Sequence, residues 1–288
     1  MSDQGEPLES GLVADIPKSR ALYERLLKYH WEYYSELAFQ RAQVREHLRA
    51  SLAEHATPFT FSRWQRAVKY KYSLSPLSAK GSLADPGGRF NIGEIDTTRF
   101  AVFAGLYLTS DKGTALAELL GRPDVLGQPL TAEELALTRP TSITVVSVSG
   151  DLESVLNVCK EENLAGFVNL IKGFRLAPAL IMEAKALGVP LLHLVTTPRQ
   201  LVDELRSPTW RAWPMHYDLP SPSQIFGQIV MDAGIEGILY TSILTDKPCI
   251  VVYPQNFANS SSFIEIDDPV PADTVQKRID ASSLKNFV

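Results

Sequence analysis

Gly87-Gly88-Arg89-Phe90-Asn91, followed by Leu106-Tyr107-Leu108-Thr109 and then Ala115-Leu116-Ala117-Glu118, places a cation, an aromatic ring and a carboxylate in one continuous block. The two adjacent glycines predict a turn whose backbone can approach a ligand closely. Phe103 to Leu108 reads as a buried strand. Ser110-Asp111 then caps a helix through about Leu120, which Gly121-Arg122-Pro123 ends. Turn, strand and helix in this order make the chain a mixture of α and β from its centre outward.

Upstream, Ser73 to Asn91 is rich in Ser, Pro and Gly and reads as a long loop, and Phe61 to Val68 starts a strand. Residues 1 to 14 are polar and read as frayed, and Asp15-Ile16-Pro17 supplies a helix start. From Ser19 to Glu54 there is no Gly or Pro. Leu22, Leu26, Tyr29, Tyr33, Leu37, Val44, Leu48 and Leu52 recur at mostly three- to four-residue steps, so one long helix or a helix pair is predicted. Its rings, Tyr29, Trp31, Tyr33 and Tyr34, are expected to pack on the domain that follows. The boundary falls near Pro58, giving a helical extension over 1–57 and a larger domain over 58–288.

Downstream, Thr141 to Ser149 alternates as a strand. Asp151 to Thr197 reads as mostly helical, with Ala177-Pro178 opening a helix, Gly188 closing it, and a short strand at Leu191 to Val195. Ser223 to Ala233 reads as a helix closed by Gly234. Strands follow at Gly237 to Tyr240 and Cys249 to Tyr253.

Composition excludes several classes of function. The chain has 288 residues, 45% of them hydrophobic, enough to bury a full core. No apolar run approaches the ~20 residues of a membrane span, and Met1-Ser2-Asp3-Gln4-Gly5-Glu6 lacks the features of a signal peptide, so a cytoplasmic protein is expected, although a dedicated secretion machine leaves no such mark. A net charge of −5 argues against a nucleic-acid footprint, leaving room for a local basic pocket. Cys159 and Cys249, far apart among apolar neighbours, read as buried thiols. The five histidines, His30, His47, His55, His193 and His216, show no ligand spacing, so no metal is expected. Neither a Rossmann glycine fingerprint, nor a P-loop, nor a serine-hydrolase elbow occurs.

What remains is a set of Arg, Tyr, Glu and Ser residues, each open to two readings. Arg89 can present its planar fork to a pyrophosphate, or be a surface arginine in a loop; Arg66 can do the same, or hold a salt bridge. Tyr107 is a core ring with a satisfied hydroxyl, or a ring stacked on a substrate. Glu118 interrupts a helix of Ala and Leu, where a carboxylate is functional, paired, or on the solvent face. Ser242 ends an apolar strand and is by default a turn residue.

In combination these residues resemble the RES-domain family, toxins of bacterial toxin–antitoxin pairs. The likeness runs from Phe61 to Pro254. It is carried by Gly-Gly-Arg-Phe-Asn at 87–91, by Leu-Tyr-Leu-Thr and Ala-Leu-Ala-Glu at 106–118, and by Ala-Gly-Ile-Glu-Gly-Ile-Leu-Tyr-Thr-Ser at 233–242. The resemblance implies an α+β, ADP-ribosyltransferase-like split β-sheet core with flanking helices and a helical N-terminal extension. It also implies an enzyme that consumes NAD as substrate, without a metal, and a neutralising antitoxin or immunity protein as partner. Arg89 and Arg66 then contact phosphate and ribose, Tyr107 brackets the nicotinamide ribose, Glu118 is the central carboxylate, and Ser242 orients substrate or Glu118. Alternatives are transfer of ADP-ribose to a macromolecule and a catalytically silent NAD-sensing module. The helical extension, the longer spacer between Arg89 and Tyr107, and extra residues between about Asp151 and Ser221 set this chain apart from compact members.

Overall fold

The alternation read at 141–149 runs on into a 15-residue strand that organises the whole sheet. In the computed structural model, residues 10–121, 143–190, 192 and 194–284 are described. His193, the Arg122-Pro123 helix stop and the first nine of the 1–14 residues expected to fray lie outside them. The described strands are β1 (Thr57–Lys69), β2 (Gly87–Gly88), β3 (Asn91–Ile92), β4 (Leu106–Thr109), β5 (Ile143–Asn157), β6 (Gly237–Thr241), β7 (Pro248–Val252), β8 (Phe263–Ile266) and β9 (Arg278–Asp280). The described helices are α1 (Ser10–Gln43), α2 (Arg45–Ala53), α3 (Lys112–Leu120), α4 (Ala165–Ile171), α5 (Pro178–Leu187), α6 (Pro198–Leu205), α7 (Ala212–Tyr217) and α8 (Pro222–Asp232). The fold is α+β, a sheet core with flanking helices and a helical N-terminal extension.

Seven strands follow the order β1-β4-β7-β6-β5-β8-β9, and β1 also pairs with β5, so five of them close into a ring. One edge of β5 carries β1 from Thr57↔Val155 to Lys69↔Ile143. The other edge is divided: Val148 to Asp151 pair antiparallel with β8, and Val155 to Asn157 pair parallel with β6. At this fork the backbone of Glu153 and Ser154 has no strand to meet. The buried carboxylate of Glu236 fills the gap, its Oε2 accepting from Glu153 N (2.8 Å), Ser154 N (3.1 Å) and Ser262 Oγ (2.7 Å). Three donors compensate a charge that would otherwise be costly to bury.

The fork also explains a misreading. The helix expected from Asp151 does not begin there, because β5 continues to Asn157 and helix resumes only with a short 3-10 turn at Glu161–Leu164 and then α4. Leu152, Val155 and Leu156 stand at helical spacing and are all buried. Asp151 and Glu153 are exposed on either side of Leu152, and the alternation there is broken where the register with β1 shifts between Leu152 and Val155, so the spacing comes from an irregular strand and not from a helix. Leu192, Leu194 and Val195 form no strand, and Leu191 lies outside the described residues.

By packing, the chain divides into two compact units, residues 1–43 with 174–194, and residues 44–173 with 195–288. In the first, α1 begins at Ser10, ahead of the Asp15-Ile16-Pro17 signal. Tyr29 packs on Leu180 and Ala184 of α5, Arg25 pairs with Glu183 at 2.9 Å, and the Gln40 amide donates to Arg175 O and accepts from Arg175 N. α5 is opened by Pro178 and closed by Gly188 at φ 67°, as the sequence predicts.

The helix pair breaks at Val44, and α2 belongs to the second unit. Leu48 and Leu52 of α2 are buried, and Arg45 meets Asp232 of α8 at 2.6 Å. A chain beginning at Val44 keeps these contacts, whereas one beginning at Thr57 loses two leucines that contribute about 1.5–3 kcal/mol each. The shorter chain is expected to melt several degrees below the longer one; equal melting temperatures would show that α2 adds nothing to the sheet unit.

Candidate active site

The Gly-Gly-Arg-Phe-Asn stretch forms the β2–β3 hairpin, and its shape is set by side chains that reach it from outside. Gly87 sits at φ 91°, where a Cβ would stand 2.5 Å from Gly93 N. A Cβ on Gly88 would collide with the Tyr107 hydroxyl. Asn91 is fully buried and uses its whole amide: Oδ1 accepts from Gly88 N (3.0 Å) and from the Tyr107 hydroxyl (2.9 Å), and Nδ2 donates to Ser82 O (2.7 Å) and Phe103 O (3.0 Å). Gln224 Nε2 donates to the carbonyls of Pro86, Gly88 and Asn91, and the Tyr253 hydroxyl donates to Phe90 O at 2.7 Å. Gly227 lets α8 lie against Phe90, since any Cβ there would strike its carbonyl.

With the hairpin fixed, Arg89 is aimed. Its Nη1 donates to Leu205 O (3.2 Å) and Ser207 O (2.8 Å), carbonyls at and just beyond the C-terminus of α6, where a cation is favoured. Its guanidinium lies 5.8 Å from the centroid of the Trp210 ring. Burial lowers its pKa, while Tyr240, Glu118 and Tyr107 oppose that shift. Arg66 is committed further: Nε, Nη1 and Nη2 donate to Pro76 O (2.7 Å), Tyr107 O (3.0 Å) and Ser78 O (2.8 Å). Burial pushes it down to about 10, and it still stays cationic at neutral pH. Two of its five donors thus pin the 76–78 loop to the sheet, a third holds β4, and two remain.

The Tyr107 hydroxyl donates to Asn91 and accepts from Phe90 N (3.0 Å), and burial raises its pKa far above the ordinary phenol. It is a brace for the hairpin that stays protonated, and its ring faces the cleft. Glu118 stands on α3, which Asp111 caps by accepting from Thr114 N (3.0 Å) and Gly121 closes at φ 73°. Ala115 and Ala117 take the buried face of the helix, turning Glu118 to the cleft. Ser242, fully buried behind it, donates to Glu118 Oε1 at 2.5 Å and accepts from Leu244 N at 3.1 Å. A Thr114–Thr245 hydroxyl pair at 2.8 Å ties the same turn to α3.

The cleft so formed measures about 450 Å³ and is lined by Arg66, Arg89, Tyr107 and Glu118, together with Trp210, Arg211 and Tyr240, which the sequence reading passed over. Ser242 is not on its wall and meets it through the hydrogen bond to Glu118. No signal marks Trp210 and Arg211, because they follow α6 in a stretch without periodicity. Tyr240 was in view only as an apolar strand residue; it packs edge-on against Phe90 at 5.0 Å. One thiol needs correcting: Cys249 is buried, but Cys159 is exposed, just beyond the end of β5, with Sγ 3.1 Å from Thr241 Oγ1. Among the described residues, no group of three or more His, Cys, Asp or Glu is placed to hold a metal ion, and no helix is long and apolar enough to cross a membrane.

The domain is thus an α+β sheet core with a cleft lined by Arg66, Arg89 and Arg211 around the carboxylate of Glu118, and the comparisons give its family. Residues 63–273 match the family model of the RES domain, and the chain belongs to that family. Among solved structures, a chain of the crystal structure of the M. tuberculosis MbcT-MbcA toxin-antitoxin complex is similar at 15% identity, over 84% of this chain and 97% of that chain, with a TM-score of 0.40. No curated protein matches the sequence.

Proposed function

We propose that this protein is a toxin that cleaves the bond between nicotinamide and ribose in NAD, and that a dedicated protein partner neutralises it. The observation that carries the reading is the placement of Glu118, locked by Ser242, in the same cleft as Arg89. Nicotinamide leaves NAD as a neutral molecule from a cationic state, so it needs little acid help. The sugar instead develops oxocarbenium-like positive charge. A carboxylate already fixed beside that sugar stabilises the charge without reorganising, which is where most of such a rate gain arises. Arg89, with the free donors of Arg66, holds the distant phosphates and converts their binding into orientation at the reacting carbon. The Tyr107 ring offers a flat apolar wall for the nicotinamide ribose.

Purified protein incubated with NAD is expected to release nicotinamide. Free ADP-ribose among the products identifies hydrolysis, phosphorylated ADP-ribose identifies phosphorolysis, and label retained on a protein identifies transfer. Absence of nicotinamide release with folded protein would sink the reading.

Uncontrolled consumption of NAD is self-destructive, so expression alone is expected to arrest the growth of a bacterial host, and co-expression with the neighbouring gene to restore it. Harmless expression of a protein shown to cleave NAD would remove the partner from the proposal.

A further inference from the structure

Beside the four cleft residues already given roles stands a fifth that is chemically idle. Arg211 is exposed and lines the cleft, with its guanidinium 4.6 Å from the centroid of Trp210. Trp210 is the same buried indole that Arg89 lies against. The other arginines nearby are committed. Arg66 serves three carbonyls, Arg89 two, and Arg206 pairs with Asp246 at 3.0 Å. Arg211 donates to no acceptor among the described residues, so its planar fork is open toward the cleft.

Two cations held on one ring, with no carboxylate between them, repel each other. Burial is the main cause of the lowered Arg89 pKa and of the raised Tyr107 pKa, and the field of Arg211 adds a small downward push to each. Three guanidinium groups against the single carboxylate of Glu118 leave the cleft with a surplus of positive charge. A ligand carrying two adjacent negative groups relieves that repulsion; a ligand with one relieves only part of it. Both cations depend on one short stretch, since Leu205 O and Ser207 O orient Arg89 while Trp210 seats Arg211.

We infer that Arg211 is a specificity-determining residue that binds the second phosphate of a diphosphate, with Arg89 on the first, so that the cleft selects a dinucleotide over a mononucleotide. This rests on the NAD reading above and assigns the 205–211 stretch its part in it. Arg supplies a bidentate grip on phosphate that Lys cannot reproduce.

The test compares wild type, Arg211→Ala and Arg211→Lys in nicotinamide release from NAD and from nicotinamide mononucleotide, and in calorimetric binding of ADP-ribose. Arg211→Ala is expected to raise KM for NAD about 10- to 100-fold, the range for loss of a charge-assisted contact, and to weaken ADP-ribose binding to the same degree. The loss on the mononucleotide should be at least about 10-fold smaller, and Arg211→Lys should fall between the two. Equal losses on both substrates, or no loss on NAD, would overturn the assignment. If wild type released no nicotinamide at all, the NAD reading would fail and the titration would still decide. ADP-ribose bound by wild type and lost in Arg211→Ala supports the diphosphate grip, and ADP-ribose bound equally by both, or by neither, overturns it. Arg211 is a surface residue, so all three proteins should melt alike.

Discussion

Glu118→Gln is expected to lower the turnover of NAD by about 10²–10³, the loss known for a single preorganised electrostatic contact, while its melting temperature stays close to that of the parent. The substitution keeps the shape of the side chain, and the Gln carbonyl can still accept from the Ser242 hydroxyl that now meets Glu118 Oε1. Only the charge is removed. Were Glu118 a solvent-face residue, the same change would be nearly neutral in both measurements. A kcat within a few-fold of the parent would therefore remove the carboxylate from the mechanism. Toxicity should follow turnover, so the variant should also be tolerated when expressed alone.

Asn91→Ala is expected to act on the opposite quantity. It deletes four hydrogen bonds in a fully buried position and leaves Gly88 N, Ser82 O, Phe103 O and part of the Tyr107 hydroxyl without partners. Each stranded buried group costs about 1–3 kcal/mol, so a loss of at least 3 kcal/mol is expected after partial relaxation. Asn91→Asp should be little better, because a carboxylate can serve the two donors but cannot donate to Ser82 O and Phe103 O. Denaturant unfolding checks both variants. A change below about 1 kcal/mol for Asn91→Ala would mean that the hairpin is held by Gln224 and Tyr253 alone.

These two residues also show what could and could not be read from the chain. α3 was legible to the residue at both ends, because a capping Asp111 and a left-handed Gly121 are local requirements that tertiary packing rarely overrides. β6 and β7 were legible as apolar runs, and Arg89, Tyr107 and Glu118, picked out because they share one block of sequence, line one cleft. The work done by Asn91 was hidden, since its partners Ser82 and Phe103 lie in other loops and only the fold brings them within reach. The same holds for Glu236, quoted in the 233–242 stretch without a role, whose value appears only where β5 changes partners. Trp210 and Arg211 reach the cleft on an irregular connection, and no periodic pattern announces such a segment. Cys159 looked buried from its apolar neighbours, yet it follows the end of β5, where the sheet no longer covers it.

The closed ring of strands has a consequence for when the cleft comes into being. β1 is held by β5, some ninety residues later, and the ring closes between β4 and β6 through β7, which ends at Val252. Such long-range pairing folds slowly compared with local helices. On the ribosome, a chain that has emerged only as far as Asp232 has α3 and its Glu118 but neither Ser242 behind that carboxylate nor the strand that joins the cleft's two walls. At about 5–20 residues per second, synthesis of the part before β7 takes tens of seconds or less. From the synthesis of Arg211 until that of β7, the polypeptide carries every cleft arginine without the strand that closes the ring, so a neutralising partner of the kind proposed, made at the same time, has an unarmed target to meet.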